Sequence, residues 1–183
     1  EELARMMVGR EIQFDRPSRD PSTGASVLEA SGLRVRDDRD LEQVSGVDLS
    51  VQEGEILGIA GVQGNGQTEL VEALTGLRDV DSGSVQFHGK DITETNRRQR
   101  IKDGIAYIPE DRTTEGLVQD YTLVRNALLG NQTVEPFVEN GMIDWDSVDE
   151  HAGDIIEEYD VQPPDKSTAA KSLSGGNQQK FIV

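Results

Sequence analysis

An α/β fold is predicted by three observations. A continuously apolar run, Ile56-Leu57-Gly58-Ile59-Ala60, feeds a glycine-rich loop from Gly61 to Gly66, and a helical pattern follows at Leu70, Val71, Ala73, Leu74 and Leu77. Short alternating runs lie before that unit, as expected of a small antiparallel β-subdomain. The stretch from about Thr122 to Ala170 carries helical spacing and reads as a helical arm. A chain of 183 residues suits one such domain, with or without a tail.

Residues 1–14 read as a short amphipathic helix with Leu3, Met6 and Met7 on its apolar side. Residues 15–26 hold Pro17, Pro21 and Gly24 among Ser and Thr, which is linker composition. A globular pattern begins at Val27. Val27, Leu28, Ala30, Leu33 and Val35 suggest a first strand, Asp37 to Asp40 a polar turn, and Val44, Val47, Leu49 and Val51 a second strand. Glu53-Gly54 is a turn. The apolar runs at Ile56–Ala60 and Ile105–Ile108 read as buried strands of the kind found inside parallel sheets. Val85–Phe87 is a strand and Asn96–Lys102 a basic helix. Thr122–Leu129 and Ser147–Tyr159 are helical, the latter with a capping box at Ser147 and Glu150. Leu173-Ser174-Gly175-Gly176 is a glycine turn that opens a last helix.

Composition excludes several functions. There is no cysteine, which removes disulfide scaffolds, Cys-ligated zinc, iron–sulfur centres and thiol catalysis. No apolar run approaches the roughly 18 residues that span a bilayer, and Glu1-Glu2 is not followed by a signal-peptide core. A net charge of −17 disfavours a dedicated nucleic-acid binder. The basic residues are 13 Arg and only five Lys. Such an acidic, lysine-poor surface repels itself in dilute buffer, whereas at ~1 M salt the Debye length is about 3 Å. A halophilic source is therefore expected. The melting temperature should rise as KCl is raised into the molar range, and a protein equally stable at low salt would overturn that expectation.

Two motifs carry chemistry. Gly61-Val62-Gln63-Gly64-Asn65-Gly66-Gln67-Thr68 matches G-x-x-x-x-G-K-[ST] at every fixed position but one, with Gln67 in place of lysine. In such a loop, glycines let backbone N–H groups converge on phosphate oxygens, and the helix N-terminus adds its positive end. The candidate nucleotide-binding residues are Gly61, Gln63, Gly64, Asn65, Gly66, Gln67, Thr68 and Glu69, and the Thr68 hydroxyl can meet Mg²⁺. Gln67 donates a hydrogen bond but carries no charge, so weak nucleotide binding and poor turnover are expected at this loop. The second motif, Leu173-Ser174-Gly175-Gly176-Asn177-Gln178-Gln179-Lys180, is another N–H-rich turn at a helix start.

Together these motifs resemble the ATP-binding subunits of ABC transporters, whose signature motif Leu173 to Lys180 looks like. Pro109-Glu110-Asp111-Arg112 and Glu115-Gly116-Leu117-Val118 look like the Q-loop region of the branch that imports simple sugars and nucleosides. The resemblance covers essentially the whole chain. It implies a P-loop ATPase core, ATP and Mg²⁺ as cofactors, Ser174, Gly175, Gly176 and Gln178 as nucleotide-contacting residues, and Glu110 with Thr68 at the metal. In that branch two ATPase halves are fused. Residues 1–14 then look like the tail of the first half, 15–26 the linker, and 27–183 a second half truncated before the Walker B strand.

Further expectations follow from the resemblance. The partners are the first ATPase half and the membrane permease, and the location is the cytoplasmic face of the membrane. Each ATP site pairs the phosphate loop of one half with the signature of the other, so this chain would donate a good signature and keep a degenerate loop. Residues 33–43 lack the aromatic that the family stacks on adenine, and His88 and His151 do not match its switch histidine. No catalytic base can be named, and the chain alone is expected to be inactive. A non-hydrolytic binding module and a non-transport P-loop ATPase are alternatives; the NQQK extension and the Pro109–Arg112 segment argue against the latter.

Lesser features are read plainly. The acidic residues from Asp144 to Glu158 form a solvated helix face rather than a metal site. Arg97, Arg98, Arg100 and Lys102 form a solvated basic helix, and Trp145 is buried under the arm. Leu123, Val124 and Leu128 are either a permease contact or core.

Overall fold

The computed structural model describes residues 24–183. The expected helix at 1–14 and nearly all of the 15–26 linker lie outside them. Strands β1 (Ser26–Arg36), β2 (Glu42–Gln52), β3 (Ser82–Phe87) and β4 (Lys90–Asp91) form one antiparallel sheet in the order β2-β1-β3-β4. In β1 the inward residues are Ala30, Leu33 and Val35, and the slip in alternation is a register shift between Ala30 and Leu33. At that irregularity Gly83 (φ +94°) passes 2.6 Å, measured from its would-be Cβ, from the carbonyls of Ser31 and Gly32, a space no side chain fits.

Helix α1 (Gln67–Thr75) lies on this sheet. Leu70, Ala73 and Leu74 share one face by the i, i+3, i+4 rule and bury against Val35, Val44, Val85 and Ile92. Gly76 (φ +75°) ends it in the left-handed conformation. Helix α2 (Arg97–Lys102) is capped by Asn96, which accepts from Gln99 N–H at 3.0 Å.

The basic helix is not simply solvated, which corrects the sequence expectation. Arg100 is only 1% exposed. Its Nη1 donates to the carbonyls of Ala73 and Leu74, Nη2 to those of Ile92 and Thr93, and Nε to that of Thr95, all within 3.1 Å. Five N–H donors thus meet five carbonyls, two of them in the last turn of α1, where the helix dipole favours a cation. Burial pushes the guanidinium's pKa down from its ordinary value.

The second lobe is the helical arm. Helix α3 (Leu123–Ala127), helix α4 (Trp145–Glu158) and helix α5 (Gly175–Ile182) pack around Leu123, Leu128, Val148, Ala152, Ile156 and Phe181. Leu123 and Leu128 are therefore core, with Val124 packed against them. A hairpin of β5 (Val138–Glu139) and β6 (Met142–Ile143) turns at Asn140-Gly141, both at positive φ, a signal that stood in the sequence. Helix α4 is capped by Asp144, not by the expected box at Ser147: Asp144 accepts from Asp146 N–H, Ser147 N–H and the Ser147 hydroxyl. The helix therefore starts earlier. Its buried stripe begins only at Val148, so Trp145 stays 47% exposed rather than buried.

The two apolar runs expected as buried parallel strands are not strands here. Ile56–Ala60 makes no ladder, and Ile56 is 83% exposed. Ile105–Ile108 likewise forms no ladder, and Ile108 is exposed. The reason is that a parallel strand needs a neighbour distant in sequence, and among the described residues neither run has one. Among the described residues no helix is long and apolar enough to cross a membrane.

Candidate functional site

The glycine loop follows the Ile56–Ala60 run and turns at Val62–Asn65, where Asn65 N–H donates to Val62 O at 3.2 Å. Gly64 (φ +86°) and Gly66 (φ +93°) adopt conformations that favour glycine. Gly66 is also confined from outside: a Cβ there would strike the carbonyl of Gln43 on β2. Gln43 is held in turn by the Asp37–Leu41 turn, because its Nε2 donates to Asp37 Oδ2 at 3.0 Å. Asp37 also accepts from the N–H groups of Arg39 and Leu41 and from the Arg39 guanidinium, and these bonds hold its carboxyl far below the usual carboxylate range. A polar turn and a glycine loop are thus locked together, a contact without a local sequence signal.

Gly61, Gln63, Gly64, Asn65 and Thr68 are exposed, and Glu69 is half-buried. Leu70 N–H is bonded to Gly66 O at 2.9 Å, so the preceding N–H groups of α1 have no intrahelical acceptor. No side chain caps them, whereas Asn96, Thr122, Asp144 and Ser174 cap the other α-helices. The start of α1 is uncapped and lies behind the exposed residues Gly61 to Asn65, with Gly66 buried and Gln67 half-buried, an arrangement that fits a phosphate. The Thr68 hydroxyl on the first turn fits a Mg²⁺ ligand that shares phosphate oxygens. Gln67 folds back so that its carboxamide lies where a Cβ of Gly61 would be. It therefore covers the loop as a neutral donor. No aromatic ring stands on the adjacent turn; Arg39 does, in the field of Glu69.

The signature turn sits on the other lobe. Ser174 is exposed and caps α5, accepting from Asn177 N–H (3.4 Å) and Asn177 Nδ2 (3.0 Å). Gly176 is exposed beside it. Gln178 departs from its expected role as a nucleotide contact. It is buried, its Nε2 donates to Ala170 O (3.0 Å) and Gln119 Oε1 (3.2 Å), and its Oε1 accepts from Arg112 Nε (3.3 Å). It positions the turn from inside. Glu110 is exposed, after buried Pro109. It leads into a wide helical turn at Arg112–Gly116, capped by Asp111.

Among the described residues no hydrogen bond or ion pair joins the Gly61–Thr68 loop to the Ser174–Gly176 turn. Between the lobes lies a cleft of about 740 Å³, lined by Leu77, Arg97 and Tyr107 on one side and by Leu129, Ile155 and Phe181 on the other. The Arg97 guanidinium lies over the Tyr107 ring at 5.3 Å. The acidic stretch of α4 assembles no group of three or more metal-ligating side chains among the described residues. Sequence reading missed the inward roles of Arg112, Gln119 and Asn126. The Asn126 side chain accepts from Val118 N–H and donates to the carbonyls of Val118, Tyr121 and Thr122, tying the segment after Gly116 to α3.

The fold and the loop are those of an α/β cassette of the phosphate-loop class. Its structure superposes with a TM-score of 0.68 on the ATP-binding cassette of an ABC transporter in its ADP conformation, at 24% identity, covering 86% of this chain and 62% of that one. Residues 44–183 match the sequence model of the ABC transporter family, and the chain belongs to that family. Among similar proteins, the guanosine import ATP-binding protein NupO of Bacillus subtilis is 46% identical and the nucleoside import ATP-binding protein NupA of Lactococcus lactis 42%. The glucose import ATP-binding protein TsgD13 of Haloferax volcanii is 39% identical. Each match covers this whole chain, which spans only about a third of those relatives' lengths.

Proposed function

We propose that this chain is part of the second ATPase half of a fused ATP-binding subunit that energises import of a nucleoside or simple sugar, docked on the cytoplasmic side of a membrane permease. The observation that carries the nucleotide role is the exposed glycine loop ending in the uncapped α1. The names of the similar import proteins support the transport role. Mg²⁺, when bound with ATP, neutralises phosphate charge. The chain's own part is to hold phosphate oxygens on the α1 N–H groups and to present the Thr68 hydroxyl to the metal; the family resemblance adds Glu110 to that role. The runs Ile56–Ala60 and Ile105–Ile108 act as strands of a parallel sheet completed by other parts of the full-length subunit.

The phosphate loop is the degenerate partner in this reading. A hydrogen bond to a charged group contributes ~1.5–3 kcal/mol, so lacking the lysine costs about one to two orders of magnitude in affinity. The Ser174–Gly176 turn serves the site built on the other half's loop.

The test is titration of the folded chain with Mg-ATP in molar KCl, folding being followed by circular dichroism. Weak saturable binding, strengthened about ten- to a hundredfold by Gln67→Lys, is expected. A folded chain that binds no nucleotide with either residue would overturn the nucleotide role of this loop. It would leave the chain as a signature donor and permease-docking module.

A further inference from the structure

The segment that follows Glu110 lies along one face of the signature helix. Gly116 abuts Ile182: a Cβ on the glycine would sit 2.9 Å from Ile182 Cδ1. Arg112 Nε donates to Gln178 Oε1 at 3.3 Å. Arg112 Nη2 lies 2.6 Å from where a Cβ of Gly175 would be. The three contacted positions, Gly175, Gln178 and Ile182, follow the i, i+3, i+7 spacing of a single helix face. Leu117 continues the contact into the cluster that contains Phe181.

The contact is tight at both ends. On the Glu110 side, Asp111 accepts from Thr113 N–H (2.9 Å), Thr114 N–H (3.4 Å) and the Thr113 hydroxyl, which fixes the turn that carries Arg112. These bonds hold the Asp111 carboxyl down at about 2, so the cap is ionised at any working pH. On the helix side, Gln178 is buried and spends its amide hydrogens on Ala170 O and Gln119 Oε1. Its carbonyl oxygen is left for Arg112. Arg112 therefore joins the segment of the exposed Glu110 to the buried Gln178, one turn inside the Ser174–Gly176 motif. No acidic partner of Arg112 occurs among the described residues, so its guanidinium is not committed to an ion pair there.

We propose that Arg112 is a positioning residue: through Gln178 and the bare face of Gly175 it sets the orientation of the signature turn and makes it follow the Glu110 segment. The inference rests on the ATPase reading above for its consequence, but the coupling itself is a property of the packing. A side chain at position 175 would displace the guanidinium, whose Nη2 lies 2.6 Å from the Cβ position. A lysine at position 112 keeps the charge but has no Nε–H in a planar fork, so it cannot make the Gln178 bond while lying flat on Gly175.

The test uses the full-length subunit assembled with its permease, comparing Arg112→Ala, Arg112→Lys, Gln178→Ala and the Arg112→Ala/Gln178→Ala double variant. Arg112→Ala is expected to lower kcat about tenfold, with KM for ATP within about twofold and the melting temperature within a few degrees. Arg112→Lys should restore little of that loss. The double variant should be no worse than the worse single variant, because both remove one contact. Hydrogen exchange supplies a readout independent of turnover: amides at 175–178 should exchange faster in Arg112→Ala, while those of α1 are unchanged. A melting temperature that collapses with unchanged kcat, full rescue by lysine, additive effects, or unchanged exchange at 175–178 would each overturn the proposal. An unsubstituted subunit without ATPase activity would overturn the functional reading alone, and the exchange measurement would still decide the coupling.

Discussion

Arg100→Leu costs about 3–5 kcal/mol of stability, on the scale of removing one partner from a buried charged network. That is a large share of the roughly 5–15 kcal/mol that holds a domain together. The expectation rests on the five carbonyls that the guanidinium serves, on α1, on the segment after β4 and on the approach to α2. Leucine removes the donor from the carbonyls of Leu74, Thr93 and Thr95, whereas those of Ala73 and Ile92 still accept from Gly76 N–H and Thr95 N–H. Lysine offers three donors instead of five, so Arg100→Lys should fall between the two. Arg98, exposed two residues earlier on the same helix, is the control: Arg98→Leu should change stability by less than about 0.5 kcal/mol. Chemical denaturation in molar KCl measures all three. An Arg100→Leu protein within about 1 kcal/mol of the unsubstituted chain would show that the network is not what joins α1 to α2.

Ser174→Ala in the full-length subunit should reduce ATP turnover about a hundredfold, the usual scale for losing a donor aimed at developing charge. Thr68→Ala should cost less than about tenfold, because Thr68 lies behind the loop with a neutral Gln67 and therefore contributes to the weaker of two sites. Ser174 has a structural task too, since it caps α5. Ser174→Asp separates the tasks. Aspartate still caps, so the helix persists, but its charge repels phosphate and turnover stays low. If Thr68→Ala is the more damaging change, or Ser174→Asp is fully active, the assignment of a good signature and a degenerate loop is wrong.

Much of the fold was legible because it is written locally. The alternation of β1 and β2, the loop from Gly61 to Thr68 and the Leu70, Ala73, Leu74 stripe are read from neighbouring residues alone. The same is true of the Ser174 cap, whose serine lies three residues before the N–H it accepts. The Asn140-Gly141 hairpin was equally local, yet it was passed over inside the helical arm. Asp144 displaced the expected Ser147 cap because both types cap well and only the chain's path chooses between them.

Other features were not legible, because they join residues far apart in sequence. Arg100 sits in a basic run that reads as solvated, and the carbonyls that bury it come from up to 27 residues away. Gln178 looked like part of a ligand motif, yet its partners Arg112 and Gln119 lie 66 and 59 residues before it. The apolar run Ile56–Ala60 reads as a buried strand, yet its residues are exposed and unladdered here, because burial depends on a neighbouring strand, which is a tertiary fact.

The sequence by itself thus determined the family of this protein, the glycine loop with Gln67 where the motif has lysine, and the Ser174 turn that opens the last helix, since each depends on side-chain type at short spacing. The tertiary structure alone decided that Gln43 closes over Gly66, that Arg100 staples α1 to α2, and that Arg112 and Gln178 stand behind the signature turn. The physical reason is range. Backbone conformation and capping are set within a few residues, whereas burial and the satisfaction of buried donors are set by whichever distant segment arrives to fill the space.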